Sequence, residues 1–115
     1  MAETDRPVYL QLRDRIAESI LDGRYRDGDM LPSVRAFAAE QGANPLTVAK
    51  AYQLSQDEAL VVVRRGVGMF VADGATARLR ASERQAFLTE EWPRIRRTID
   101  RLGLDAANLL DRADA

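Results

Sequence analysis

Between Gln41 and Tyr52 the chain reads QGANPLTVAKAY, and the start of that stretch holds two opposed instructions. Gly42 can take the left-handed backbone that ends a helix. Asn44 is a good N-cap, and Pro45 suits the first helical position, where an N–H would find no partner in any case. A stop and a start this close leave room only for a sharp reversal between two helices, a helix-turn-helix.

The flanking segments extend that unit. A first helix is expected over residues 7 to 22. Pro7 sits in its first turn, Gly23 ends it, and Val8, Leu12, Ile16 and Ile20 recur every fourth residue as an apolar stripe. The connector RYRDGDML is polar, with Gly28 as its turn residue. Pro32-Ser33 opens the second helix, with Ser33 as N-cap and Val34, Phe37 and Ala38 as the buried face. Val48, Ala51 and Tyr52 turn the third helix inward. Two β-rich runs then follow, residues 60 to 64 and 69 to 72, around the tip Arg65-Gly66-Val67-Gly68. Three helices and a two-stranded hairpin describe a winged helix-turn-helix. The fold class is therefore α+β, mostly α: a winged domain over residues 1–74, then a small helical unit over 75–115.

In that tail Leu88, Trp92, Ile95, Ile99 and Leu102 are spaced by four, three, four and three residues, with Ala81 on the same seam. That heptad-like spacing suits a helix packed along another helix. The seam is either intramolecular core or a dimer interface; the second is taken as the candidate. Pro93 interrupts it. One reading is a continuous helix kinked there, which is favoured. The other is a break, with Thr89 as N-cap and Glu90 and Glu91 in a new first turn. Gly103 ends this segment, and Asp105 caps a last short helix carrying Ala106, Leu109 and Leu110.

Composition narrows the chemistry. With no histidine and no cysteine among 115 residues, there is no imidazole base, no thiolate nucleophile, no disulfide and no Cys- or His-based metal site. No Asp/Glu spacing suggests a catalytic carboxylate pair, so an enzyme is not expected, nor a cofactor. There is no apolar run of bilayer length, and the polar start MAETDRP is unlike a signal peptide, which makes the cytoplasm the expected location. Net charge is −1. Residues 1–74 hold 9 basic and 11 acidic side chains, and residues 75–115 hold 8 and 7. Any polyanion must therefore be met by a local patch.

Such a patch can be named. With Val48, Ala51 and Tyr52 inward, Asn44, Leu46, Thr47, Lys50 and Gln53 lie on or near the outer face of the third helix. Amide, hydroxyl and ammonium groups at the start of an exposed helix suit base edges and phosphates in a major groove. Ser33 and Arg35 open the second helix, where free N–H groups and a guanidinium grip phosphate. Arg64 and Arg65 reach outward at the hairpin tip beside Gly66 and Gly68. Each piece alone has a plainer explanation, as a helix start, a solvated charge or turn chemistry. Their order along the chain favours a DNA reader; a winged module that binds proteins instead is the alternative.

The stretches PVYLQL, GDMLPSVR, NPLTVAKAY and RRGVGMFV, in this order over residues 6 to 73, resemble the DNA-binding domain of the GntR family of bacterial transcription regulators. The short tail is similar to that of the YtrA-like subfamily, whose small helical part pairs two subunits. The resemblance implies a homodimeric regulator, a repressor in the leading reading, on a palindromic double-stranded DNA operator. Its DNA-binding residues would be Ser33, Arg35, Asn44, Pro45, Thr47 and Lys50, with Arg64, Arg65, Gly66 and Gly68 on the wing. A small-molecule effector is left open; Phe87 and Trp92 are candidate walls for it, with core packing as their other role. Two positions depart from the family pattern. Ser55 stands where a leucine is usual and is expected to weaken the seam below Tyr52. Ala59 stands where glycine is usual and is expected to be strained if the backbone there is left-handed.

Overall fold

The computed structural model of the chain describes residues 6–112. The expectation about the polar start concerns mainly residues 1–5, which lie outside that range. Helix α1 (Val8–Leu21) leads to α2 (Val34–Gln41) and α3 (Pro45–Asp57). Strands β1 (Val61–Arg64) and β2 (Gly68–Val71) follow, then α4 (Ala75–Ala86), a π-helical turn (Phe87–Glu91), α5 (Trp92–Leu102) and α6 (Ala106–Leu110). The chain divides into two compact units, one through Arg80 and one from Ala81 onward.

In the first unit, α1 buries Leu12, Ile16, Ala17 and Ile20. Full burial of one such large aliphatic side chain is worth about 1.5–3 kcal/mol. Val8, expected on the same stripe, is exposed, because the helix begins only there. Pro7 is the N-cap, with an extended ψ of 144°, and lies outside the first turn. The stripe meets Phe37 and Ala38 of α2 and Val48, Ala51 and Tyr52 of α3 in one core. Val34 is only partly buried against it. Phe37 and Tyr52 pack at 5.8 Å between ring centroids, and the Tyr52 hydroxyl donates to the Pro32 carbonyl at 2.7 Å. Burial pushes the Tyr52 pKa well above its ordinary value, so it stays a neutral donor.

The reversal between α2 and α3 is built as its residues dictate. Gly42 is left-handed at φ +64°, and the Asn44 side chain accepts from the Leu46 N–H at 2.8 Å. At the far end of α3 the Leu60 N–H reaches the Ser55 carbonyl and the Ala59 N–H reaches the Gln56 carbonyl. Those two bonds form a Schellman cap with Ala59 at its left-handed position. Ala59 has φ +60°, the one positive φ outside glycine among the described residues, so the expected strain is present. Ser55 does not leave a polar defect in the seam. It is fully buried, and its hydroxyl donates to the Ala51 carbonyl at 2.9 Å.

The hairpin pairs Val61 with Val71 and Arg64 with Gly68, so Gly68 belongs to β2 and not to the tip. The Val67 N–H closes the turn on the Arg64 carbonyl, with Gly66 at φ +79° inside it. The connector after α1 is more than a loop. Its Gly28 and Leu31 N–H groups donate to Val71 and Met69, and Val71 donates back to Asp29, so it runs along the outer edge of β2. This covers an edge that would otherwise expose unpaired backbone groups.

The start of α4 belongs to the same core, through buried Ala75 and Leu79. Asp27 in the connector accepts from the Gly74 N–H, the Thr76 N–H and the Thr76 hydroxyl, capping α4 from across the chain. These bonds, that from the Thr76 hydroxyl foremost, hold the Asp27 carboxyl below its usual pKa. Arg78 donates to the carbonyls of Asp73 and Ala59 at 3.1 and 2.7 Å.

In the second unit the backbone stays helical through Pro93. Ala86, Glu91 and Trp92 all keep right-handed helical dihedrals. A continuous path was the favoured expectation, and the physical device is the π turn. Proline cannot donate to the residue four back and its ring crowds that carbonyl; widening the preceding turn relieves both. Thr89 therefore does not cap a new helix, and its hydroxyl donates to the Gln85 carbonyl instead. Asp105 caps α6 through the Ala107 N–H, as expected. No side chain of the π turn, α5 or α6 is buried.

Candidate nucleic-acid interface

Helix α3 presents Asn44, Pro45, Leu46, Ala49, Lys50 and Gln53 to solvent, with Thr47 half-buried beside them. This is the outer strip expected from the inward placement of Val48, Ala51 and Tyr52. Its groups keep hydrogen-bonding capacity. Asn44 spends its carbonyl oxygen on the cap, which leaves the amide –NH2 free to donate. Ser33 likewise accepts from the Ala36 N–H at 3.1 Å, which leaves its hydroxyl proton free. Arg35, in the first turn of α2, is exposed and makes no ion pair among the described residues.

Two of the expected cations rest on aromatic shelves that sequence reasoning did not identify. The Lys50 ammonium lies 4.0 Å from the centre of the Tyr9 ring on α1. The Arg64 guanidinium lies 4.3 Å from the centre of the Phe70 ring on β2. Cation–π contact restrains both long side chains without neutralising them. It also corrects the placement of Arg64, which ends β1 and folds across the hairpin; Arg65, Gly66 and Val67 form the exposed tip. Tyr9 falls one residue off the apolar stripe of α1, so its offset was the only trace of this shelf in the sequence.

Wing and helices converge. Ser33 at the start of α2 and Arg64, Gly66 and Gly68 of the wing line one open cleft of about 450 Å³. Gly68 is held to glycine by a close approach as well as by its φ of +154°, since a Cβ there would stand 3.1 Å from the Met30 sulfur. Gln53 is less available than expected, because its amide donates to Asp57 at 3.0 Å.

The electrostatics resolve the acidic overall balance. Residues 33–36, 44–53 and 64–68 contain Arg35, Lys50, Arg64 and Arg65 and no Asp or Glu. Several acids are paired elsewhere: Glu58 with Arg13 at 2.6 Å and Glu40 with Arg24 at 3.2 Å. Burial opposes the Arg13 charge, but Glu58 and then Asp14 outweigh it and raise its pKa. A chain of net charge −1 thus carries a locally cationic surface over these segments.

A capped helix-turn-helix whose second helix leaves a polar, acid-free strip beside a cationic β-hairpin defines the winged-helix class of DNA-binding domain. Residues 8–71 match the model of the bacterial regulatory proteins of the gntR family. The chain belongs to that family and carries the DNA-binding domain of its transcription regulators.

Among curated relatives, the chain is similar to the HTH-type transcriptional repressor YtrA of Bacillus subtilis, 38% identical over 73 residues. That match covers 64% of this chain and 56% of the relative, so it spans little more than half of the relative's length. The fold is similar to that of a GntR family transcriptional regulator from Listeria monocytogenes, with TM-score 0.73 and 26% identity over 93% of this chain and 92% of that one. It is also similar to the DNA-binding domain of AraR solved in complex with operator ORX1, with TM-score 0.58 and 25% identity over 63% and 87% of the two chains. Among the described residues, no helix is long and apolar enough to cross a membrane.

Proposed function

We propose that this chain is a homodimeric repressor that binds an inverted-repeat operator. In this reading α3 lies in the major groove of each half-site, where Asn44, Thr47 and Lys50 face the duplex. Ser33, Arg35 and Pro45 lie along the flanking strand, and Arg64, Arg65, Gly66 and Gly68 on the neighbouring backbone or minor groove. The observation that carries the proposal is the exposed strip along α3, free of acids and flanked by Arg35 and the wing cations. The similar AraR domain was solved in complex with an operator, which supports double-stranded DNA as the partner.

Residues 1–74 are assigned the reading role and residues 75–115 the pairing role. Pairing is supported by the seam Leu88, Trp92, Ile95, Ile99 and Leu102, which keeps its heptad-like spacing while none of its members is buried within the chain. A two-fold dimer turns one short half-site into a palindrome. The cytoplasm is where such a regulator meets its operator.

The test is an Arg35→Ala variant in a gel-shift titration on operator DNA recovered from genomic fragments. Arg35 is exposed and unpaired among the described residues, so the fold and the dimer should survive. Operator binding is expected to be lost at physiological salt, and normal binding refutes the assignment of Arg35. Wild-type binding should also weaken steeply as salt rises, because each phosphate contact releases counterions.

A further inference from the structure

Leu46 is an anomaly on the reading surface. It is 80% exposed, on the second helical position of α3, between the capping Asn44 and Thr47. Nothing in the fold uses it, because the core face of α3 is already made by Val48, Ala51, Tyr52 and Ser55. A leucine held this far into solvent contributes nothing to stability where it stands. Its neighbours are groups that hydrogen-bond base edges, and the next exposed position one turn on is Ala49 or Lys50. The only strongly apolar feature on the major-groove edge of DNA is the 5-methyl group of thymine.

We infer that Leu46 is a specificity-determining residue that reads thymine through its methyl group. The inference rests on the proposed docking of α3 in the major groove and adds the base it selects. Position supports it: the N-terminal residues of a recognition helix contact base edges in this class of motif. Charge supports it as well, since no carboxylate between residues 44 and 53 would repel the duplex from this side chain. Backbone geometry fixes where the side chain stands, because the Leu46 N–H is bound to Asn44 and Pro45 locks the preceding turn.

The experiment uses the full chain. Operators are selected from random duplexes, once with the wild type and once with Leu46→Ala. Each thymine of the wild-type half-site is then replaced by uracil, which removes the 5-methyl group and leaves every hydrogen-bonding atom. One thymine per half-site is expected to respond, with affinity falling about fourfold per methyl, the factor expected for one buried carbon group. Leu46→Ala should bind the thymine operator more weakly by a similar factor and be indifferent to uracil at that position. Its own selected site should lose the preference for thymine there. An enriched inverted repeat with no thymine whose methyl matters to the wild type, or one whose effect persists in Leu46→Ala, overturns the role of Leu46 and leaves the operator reading intact. No enriched sequence at all would overturn the operator reading and this inference with it.

Discussion

Ala59→Gly is expected to make the protein more stable. Ala59 holds the left-handed position of the cap that ends α3, at φ +60°. For a residue with a Cβ that conformation costs about 1–2 kcal/mol relative to the right-handed one, and glycine avoids the cost. Glycine in turn has more freedom to lose on folding, about 0.4–1 kcal/mol. The balance favours glycine by about 0.5–1 kcal/mol. Little else changes. Ala59 is exposed, so its methyl contributes no core packing, and its cap bond to Gln56 and its carbonyl bond from Arg78 are backbone groups that glycine keeps. For a domain of this size, a gain of that magnitude raises Tm by roughly 2–8 °C. The assay is thermal and urea unfolding of both proteins at one fixed concentration, because dimer formation would make Tm concentration-dependent. Gly42→Ala is the reciprocal control. Gly42 has φ +64° with nothing within 4 Å of an added Cβ, so alanine there meets the dihedral cost without a clash. An Ala59→Gly protein no more stable than wild type, beside a Gly42→Ala protein that is clearly destabilised, would refute the argument from strain.

Two further predictions concern the tail and the connector. Ile95→Asp puts a charge in the middle of the α5 seam; sedimentation velocity should then show half the wild-type mass with unchanged helical circular dichroism, and a retained dimer would move the interface elsewhere. For Asp27 the folded carboxyl lies below its unfolded value, so its contribution to stability is fully present above about pH 4 and is lost as pH falls through the folded value. The stability gap between wild type and Asp27→Asn should therefore close on acidification through that window, and a gap independent of pH down to 2 would show that the cap does not depend on the Asp27 charge.

What the sequence made legible was local. Gly42, Asn44, Pro45 and Ser33 act through their own backbone neighbours, so their roles follow from residue type and spacing. Gly66 and the hairpin runs are legible for the same reason. The residues that escaped are those whose partners lie far along the chain. Asp27 caps a helix that begins 48 residues later, and its sequence surroundings describe only a polar loop. Leu31 and Met69 pair through backbone groups that every residue carries, so no side-chain pattern announces the strand-like edge. Tyr9 under Lys50 and Phe70 under Arg64 belong to the same class. The π turn sits between: Pro93 announces that something must give, while the widened turn depends on which neighbouring carbonyls can move.

Arg78 gives the domain a mechanical property. One guanidinium holds the Ala59 carbonyl, in the cap that ends α3, and the Asp73 carbonyl, where the hairpin hands over to α4. A torque applied to the first turns of α4 is therefore not absorbed in a slack hinge. It reaches the backbone just past the end of α3 through the single hydrogen bond to Ala59.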